Sequence, residues 1–220
     1  MSWRNQPRDR QGRWTKGGTA AVGVAVAGVV LYGPVTGGVS TGAGGMSMQA
    51  GMTQVTRQAF TKSVQAAKKG RPAQALRHLK LKRTGRTVDR AVQCGARSYG
   101  EAQRFLVRNP CRSLNRVLFT VDDERGNRIA VSVSWVRMPT TAQANRLRRL
   151  ADVQGAGNVS PLPGALVGAG DIAWTGHHYD SRRTGRTTVI AETEPVRGNA
   201  DPEYLDNVAE LAVGFPAPKR

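Results

Sequence analysis

The chain has 220 residues and carries 33 Lys and Arg against 15 Asp and Glu, a formal charge of +18, with two cysteines and three histidines. So basic a chain attracts anionic partners, while so few Cys and His, spaced as they are, exclude a zinc ribbon. The charge is unevenly spread: between Lys16 and Arg57 lie forty residues with none.

Residues 1–16 form a basic tip, with Arg4, Arg8, Arg10, Arg13 and Lys16 against Asp9. Residues 17–45 are rich in Gly, Ala and Val. Their strongly apolar part, Ala20 to Tyr32, would reach only about 20 Å as a helix. Extended to Val39, it attains the roughly 20 residues of a membrane crossing. The extension takes in Pro34, Gly37 and Gly38, which membrane helices tolerate. An uncleaved transmembrane anchor is the leading expectation. A secretory signal cleaved within Val39 to Gly45 is the second, and a buried Gly-rich helix the third. The first cysteine is Cys94, so no lipid anchor is expected after the apolar run. The amino-terminal flank carries net +4 and residues 40–56 carry nothing, which orients the tip to the cytoplasm and the rest outside. Cleavage would make the protein secreted.

Residues 46–90 read as a basic juxtamembrane neck. From Arg57 to Arg90 there are eleven Lys or Arg and one Asp, whereas from Ala91 onward 17 basic residues stand against 13 acidic ones. Gly70-Arg71-Pro72 breaks the stretch, and Pro72 can open a short helix to Lys82 whose apolar edge is Ala75, Leu76 and Leu79. Lys68, Lys69, Arg71, Arg77, Lys80, Lys82 and Arg83 are the candidate contacts to anionic lipid or a cell-wall polyanion. A solvated linker is the alternative.

Residues 91–218 are long enough for one core. Ser98 and Glu101 have capping-box spacing before a helix that turns Ala102, Phe105 and Leu106 inward and stops at Asn109-Pro110. Val117, Phe119 and Val121 alternate as a strand. After the polar turn at 122–127, Ile129, Val131, Val133 and Trp135 alternate with Ala130, Ser132 and Ser134, predicting a half-buried hairpin. Thr140 and Gln143 repeat the capping-box spacing before a helix with Ala144, Leu147, Leu150 and Ala151. A Gly/Pro-rich loop, Gly155 to Gly170, precedes strands at 172–179 and 187–194 joined by a turn at 180–185. Asp201-Pro202-Glu203 opens a last helix with Leu205, Val208, Ala209 and Ala212 as its stripe. The expected fold is α+β: an external two-layer domain at 91–218, ordered α-ββ-α-ββ-α, whose helices cover one face of antiparallel hairpins.

Cys94 and Cys111 bracket the first of these helices. In an oxidising compartment the pair is most simply a disulfide worth roughly 3 kcal/mol; two free thiols are the alternative. His177 and His178 are neighbours on an expected strand and so face opposite ways, which prevents both from chelating one metal. With Asp180 they are the speculative ligand-facing residues. The run Asp122, Asp123, Glu124 lacks calcium-loop alternation. The glycines at 155–170 do not lead into a phosphate loop, and no Gly-x-Ser-x-Gly elbow occurs. Arg-Thr-Gly-Arg-Thr occurs at 83–87 and 183–187, which turn chemistry explains. No catalytic motif, cofactor or metal site is expected.

Cys94-Gly, Ser98-Tyr-Gly, Pro110-Cys-Arg-Ser-Leu114, Val131-Ser-Val-Ser-Trp-Val136 and Gly155-Ala-Gly-Asn158, with the closing helix, make the chain similar to membrane-anchored extracytoplasmic proteins of high-GC Gram-positive bacteria. The resemblance covers most of residues 91–216. It implies a surface location and paired cysteines, and brings no activity and no catalytic residues. The expected function is therefore a single-pass anchored, non-enzymatic binding or sensor-like domain. The alternative is a nucleic-acid-associated basic protein, for which net +18 supplies phosphate attraction but no recognised fold or aromatic interleaving.

Overall fold

The computed structural model describes residues 54–219; the expected basic tip and anchor at 1–45 lie outside them. Among the described residues no helix is long and apolar enough to cross a membrane. The elements are α1 (Gln54–Lys68), α2 (Pro72–His78), β1 (Lys82–Ala91), α3 (Gly100–Arg108), β2 (Ser113–Asp122), β3 (Arg128–Arg137), α4 (Thr141–Ala151), β4 (Tyr179–Thr184), β5 (Thr187–Arg197) and α5 (Pro202–Ala212). The strands form one antiparallel sheet in the order β1-β2-β3-β5-β4. The α+β class and the helix–hairpin–helix–hairpin–helix order of the carboxyl part are as expected.

The span expected to be a neck is instead part of the fold. α1 and α2 place Ala66, Ala67, Ala75 and Leu76 in the main core, and β1 is an edge strand hydrogen-bonded along β2. Much of its basicity has a structural reading, because Lys82, Arg83, Arg86 and Arg90 keep an exposed sheet edge from pairing with another chain. Gly85 sits at the register shift of β1 against β2, where a Cβ would stand 2.9 Å from the Val167 carbonyl.

The domain has three layers rather than two. One sheet face carries Val117, Phe119, Val121, Ile129, Val131, Val133, Trp135, Val189 and Ala191 against α1, α2 and α5. There the Trp135 indole N–H donates to the Phe215 carbonyl at 3.1 Å. The opposite face packs Leu114, Val136 and Ile190 against α3 and α4, and Leu118 and Ala130 against the loop bearing Leu162, Val167, Ile172 and Trp174. This explains why Leu118 interrupts the alternation of β2 and why Ala130, Ser132 and Ser134, expected to face solvent, are all buried.

Of the three side-chain caps expected at helix starts, two form. Thr140 and Gln143 form a reciprocal capping box at α4, and Asp201 caps α5 ahead of Pro202. The expected box at α3 does not form, because Tyr99 is its N-cap and the Ser98 hydroxyl donates back to the Cys94 carbonyl at 2.9 Å. The disulfide joins Cys94 to Cys111. β4 begins where the sequence reading ended it: Tyr179–Thr184 pairs with β5, and Gly185-Arg186 makes a two-residue turn between Thr184 and Thr187. A polar strand reads as a loop by composition, yet an edge strand facing water accepts it.

Candidate functional site

β5 alternates Ile190, Glu192 and Glu194 onto the sheet face that carries α3 and α4. Glu192 and Glu194 are both 5% exposed, although an isolated buried carboxylate is costly. Each is held by the loop above it. The Asn158 amide donates to Glu192 Oε1 at 2.7 Å, while the Thr175 backbone N–H and hydroxyl donate to Glu194 Oε1 at 2.7 and 2.6 Å.

Above Glu192 opens a cleft of about 260 Å³, whose walls include Tyr99, Asn158, Trp174, Thr175 and Tyr179. Two chain segments meet to make its rim. Tyr99 N–H donates to the Asn158 carbonyl at 2.9 Å, and Glu101 N–H to the Ala156 carbonyl at 2.6 Å. The approach needs glycine: Gly157 has φ +105°, and a Cβ there would lie 2.3 Å from the Tyr99 carbonyl. The Asn158 Oδ1 accepts from Val159 N–H at 2.8 Å, so its amide nitrogen is directed at Glu192.

A second tie sets the height of this loop. Arg116 reaches across from β2, donating twice to Asp89 Oδ2 at 3.1 and 2.7 Å and once to the Ser160 carbonyl at 2.8 Å. The Arg116 side chain is 5% exposed. On the far wall, Asp152 accepts from the Tyr179 hydroxyl at 3.1 Å and from Ser181, and it pairs with Arg148. These ties hold the Tyr179 ring and the rim backbone in place.

Burial pushes the Glu192 carboxyl up to about 7, partly offset by the Asn158 hydrogen bond and reinforced by the nearby charge of Glu194. Tyr99 is raised by burial and by the charge of Glu192. At neutral pH the cleft floor is thus poised between a neutral carboxyl that donates a hydrogen bond and a carboxylate that accepts one.

The residues singled out from sequence lie elsewhere. His178 places Nδ1 2.9 Å from Asp206 Oδ1 on α5. The Asp180 side chain accepts from Ser181 N–H at 2.8 Å, and His177 is exposed beside the rim, its backbone N–H on the Thr175 hydroxyl at 3.2 Å. Both histidines precede β4 rather than alternate on it. Among the described residues no group of three or more His, Cys, Asp and Glu is arranged to hold a metal.

The seven basic candidates Lys68, Lys69, Arg71, Arg77, Lys80, Lys82 and Arg83 are all exposed. Lys80 pairs with Glu124 at 2.8 Å in a turn where it takes φ 56°. Lys68 lies about 20 Å along α1 from Gln54 at the usual helical rise, so the cluster begins a helix length from where the chain enters the fold.

Sequence reasoning missed Tyr99, Asn158, Trp174, Tyr179 and Glu192. One signal was present: Glu192 and Glu194 share a face with Ile190 in a strand whose centre, Val189 to Ala191, is apolar, and acids inside a strand that reads as buried mark a polar floor. No family model, curated protein or solved structure matches the chain.

Proposed function

We propose that residues 54–219 form a non-enzymatic binding domain, held outside the cytoplasm by an anchor within residues 17–45, and that its ligand is a compact polar molecule seated over Glu192. The observation that carries this reading is the open cleft with a buried carboxyl on its floor and aromatic rings on its walls. Preformed pockets of mixed aromatic lining with a few convergent polar groups are where small ligands bind. Rings of Tyr99, Trp174 and Tyr179 offer flat apolar contact, while Glu192 and Asn158 offer hydrogen bonds. A saccharide unit, with an apolar ring face and a hydroxyl edge, has the matching chemistry. The Cys94–Cys111 disulfide supports the external placement, since such bonds persist in oxidising compartments.

Two experiments test the two halves. A panel of neutral saccharides and amino sugars is screened by thermal shift against the wild type and against Tyr99→Ala and Glu192→Gln. A compound that raises Tm in the wild type and fails with both variants supports the site; equal shifts in all three refute it. For placement, intact cells are treated with a membrane-impermeant maleimide before and after reduction. Labelling only after reduction supports the external domain, and labelling only after lysis contradicts it.

A further inference from the structure

A second concave surface lies between α3 and α4, apart from the Glu192 cleft. It encloses about 320 Å³, with Arg104, Arg108 and Arg146 around Phe105 and Leu150. Arg104 and Arg108 stand one turn apart on α3 and so share a face. Arg146 comes from α4 and sets its guanidinium 5.7 Å from the Phe105 ring centroid. Glu101 is the one acid in the lining, and it meets Arg104 at 3.4 Å with both side chains more than half exposed. Among the described residues Arg108 and Arg146 have no ion-pair partner. The groove therefore concentrates three guanidinium groups against one carboxylate, an excess of two positive charges.

Its walls are fastened to one another. Asn109 donates from Nδ2 to the Phe105 carbonyl at 3.0 Å and accepts from Gln143 Nε2 at 3.3 Å. The end of α3 is thus tied to the start of α4, and the disulfide at Cys111 holds the chain just beyond. Like charges held together on rigid elements repel unless an anion joins them. Planar guanidinium groups present paired donors that match the oxygens of a phosphate group, and an excess of two charges matches its dianion better than a single carboxylate.

We infer that the α3–α4 groove binds a phosphate group, supplied by a free phosphate ester or a lipid headgroup, through Arg104, Arg108 and Arg146. This site is independent of the Glu192 cleft and of the basic candidates read from sequence.

The test is calorimetric titration of the full chain with inorganic phosphate in low-chloride buffer. The Arg108→Gln/Arg146→Gln variant should bind at least about tenfold more weakly, given the strength of charge-assisted pairs. Lys62→Gln/Arg125→Gln removes the same charge from exposed positions on α1 and in the turn between β2 and β3 and should stay within about twofold, as expected of a screened surface charge. Acetate should bind the wild type at least about tenfold more weakly than phosphate. Equal losses in the two variants, or acetate as good as phosphate, overturns the inference. In the unsubstituted chain the Arg146 Nε–H resonance should move on adding phosphate, and a resonance that stays put overturns it without any variant. Competition between inorganic phosphate and phosphatidic acid vesicles, whose headgroup is a phosphomonoester, absent with phosphatidylcholine, assigns the source to a lipid headgroup; no competition assigns it to free esters.

Discussion

Replacing Glu192 by Gln tests the buried carboxyl by its effect on stability. Glutamine matches the shape, removes the titration and leaves an oxygen to accept from Asn158. An unfolded glutamate ionises near its ordinary 4.5, whereas the folded group is held up to about 7. Between those values the folded state keeps a proton that the unfolded chain has released. Stability from this group is therefore complete below about pH 4.5 and lost as pH rises through about 7. At about 1.4 kcal/mol per pH unit, the loss comes to about 3 kcal/mol. Urea unfolding with an m-value of about 2 kcal/mol per M would register it as a midpoint difference of about 1.5 M. Measured from pH 4.5 to 8 with the disulfide intact, the wild type should lose this increment and Glu192→Gln should not. The variant should be the more stable at pH 8, with the two converging at pH 4.5. Asp122 does not interfere: its hydrogen bond to Arg128 holds its carboxyl below the ordinary 3.8, so its contribution is lost only at more acid pH. A wild-type-minus-variant difference that is constant from pH 4.5 to 8 would refute the reasoning, because it would mean that the carboxyl titrates as it does in water.

Asp89→Asn leaves Arg116 buried without its counter-charge and should cost about 3 kcal/mol, read as a Tm lower by about 10 °C; an unchanged Tm would contradict the role given to that pair. Gly157→Ala and Gly155→Ala both add a Cβ at positive φ, but only Gly157 lacks space for it. Gly155→Ala should therefore cost about 1 kcal/mol and Gly157→Ala at least twice that in chemical denaturation. Equal costs would show that the rim tolerates separation. Reducing Cys94–Cys111, which are 17 residues apart, should lower stability by about 3 kcal/mol. If Tm holds while two thiols titrate, the bond does not support the fold.

The carboxyl half was legible where local chemistry settles the matter. Thr140 with Gln143, and Asp201 with Pro202, announce α4 and α5 because a cap is satisfied within four residues. The same spacing at Ser98 and Glu101 misled, since Ser98 found a partner in the preceding Cys94 carbonyl and local hydrogen bonding has more than one solution. β1 was hidden because an edge strand of Lys, Arg and Thr has the composition of a linker. Its pairing with β2 is a long-range fact that no window reveals. The third layer was hidden for a similar reason: Ser132 and Ser134 read as water-facing until α3, α4 and the 158–178 loop cover them. The cleft was legible least of all. It assembles Tyr99, Asn158, Trp174 and Glu192 from four separate segments, and only the two acids in β5 announce it.

Incorporating 5-fluorotryptophan gives the most direct test of whether the Glu192 cleft is a binding site. Trp174 lines the cleft, whereas Trp135 is buried with its indole on Phe215. With the saccharide and amino-sugar panel, a binding ligand should shift the Trp174 fluorine signal and leave that of Trp135 in place, and it should move neither signal in Glu192→Gln. A panel that moves no Trp174 signal, or moves it equally in the variant, would contradict a ligand seated over Glu192.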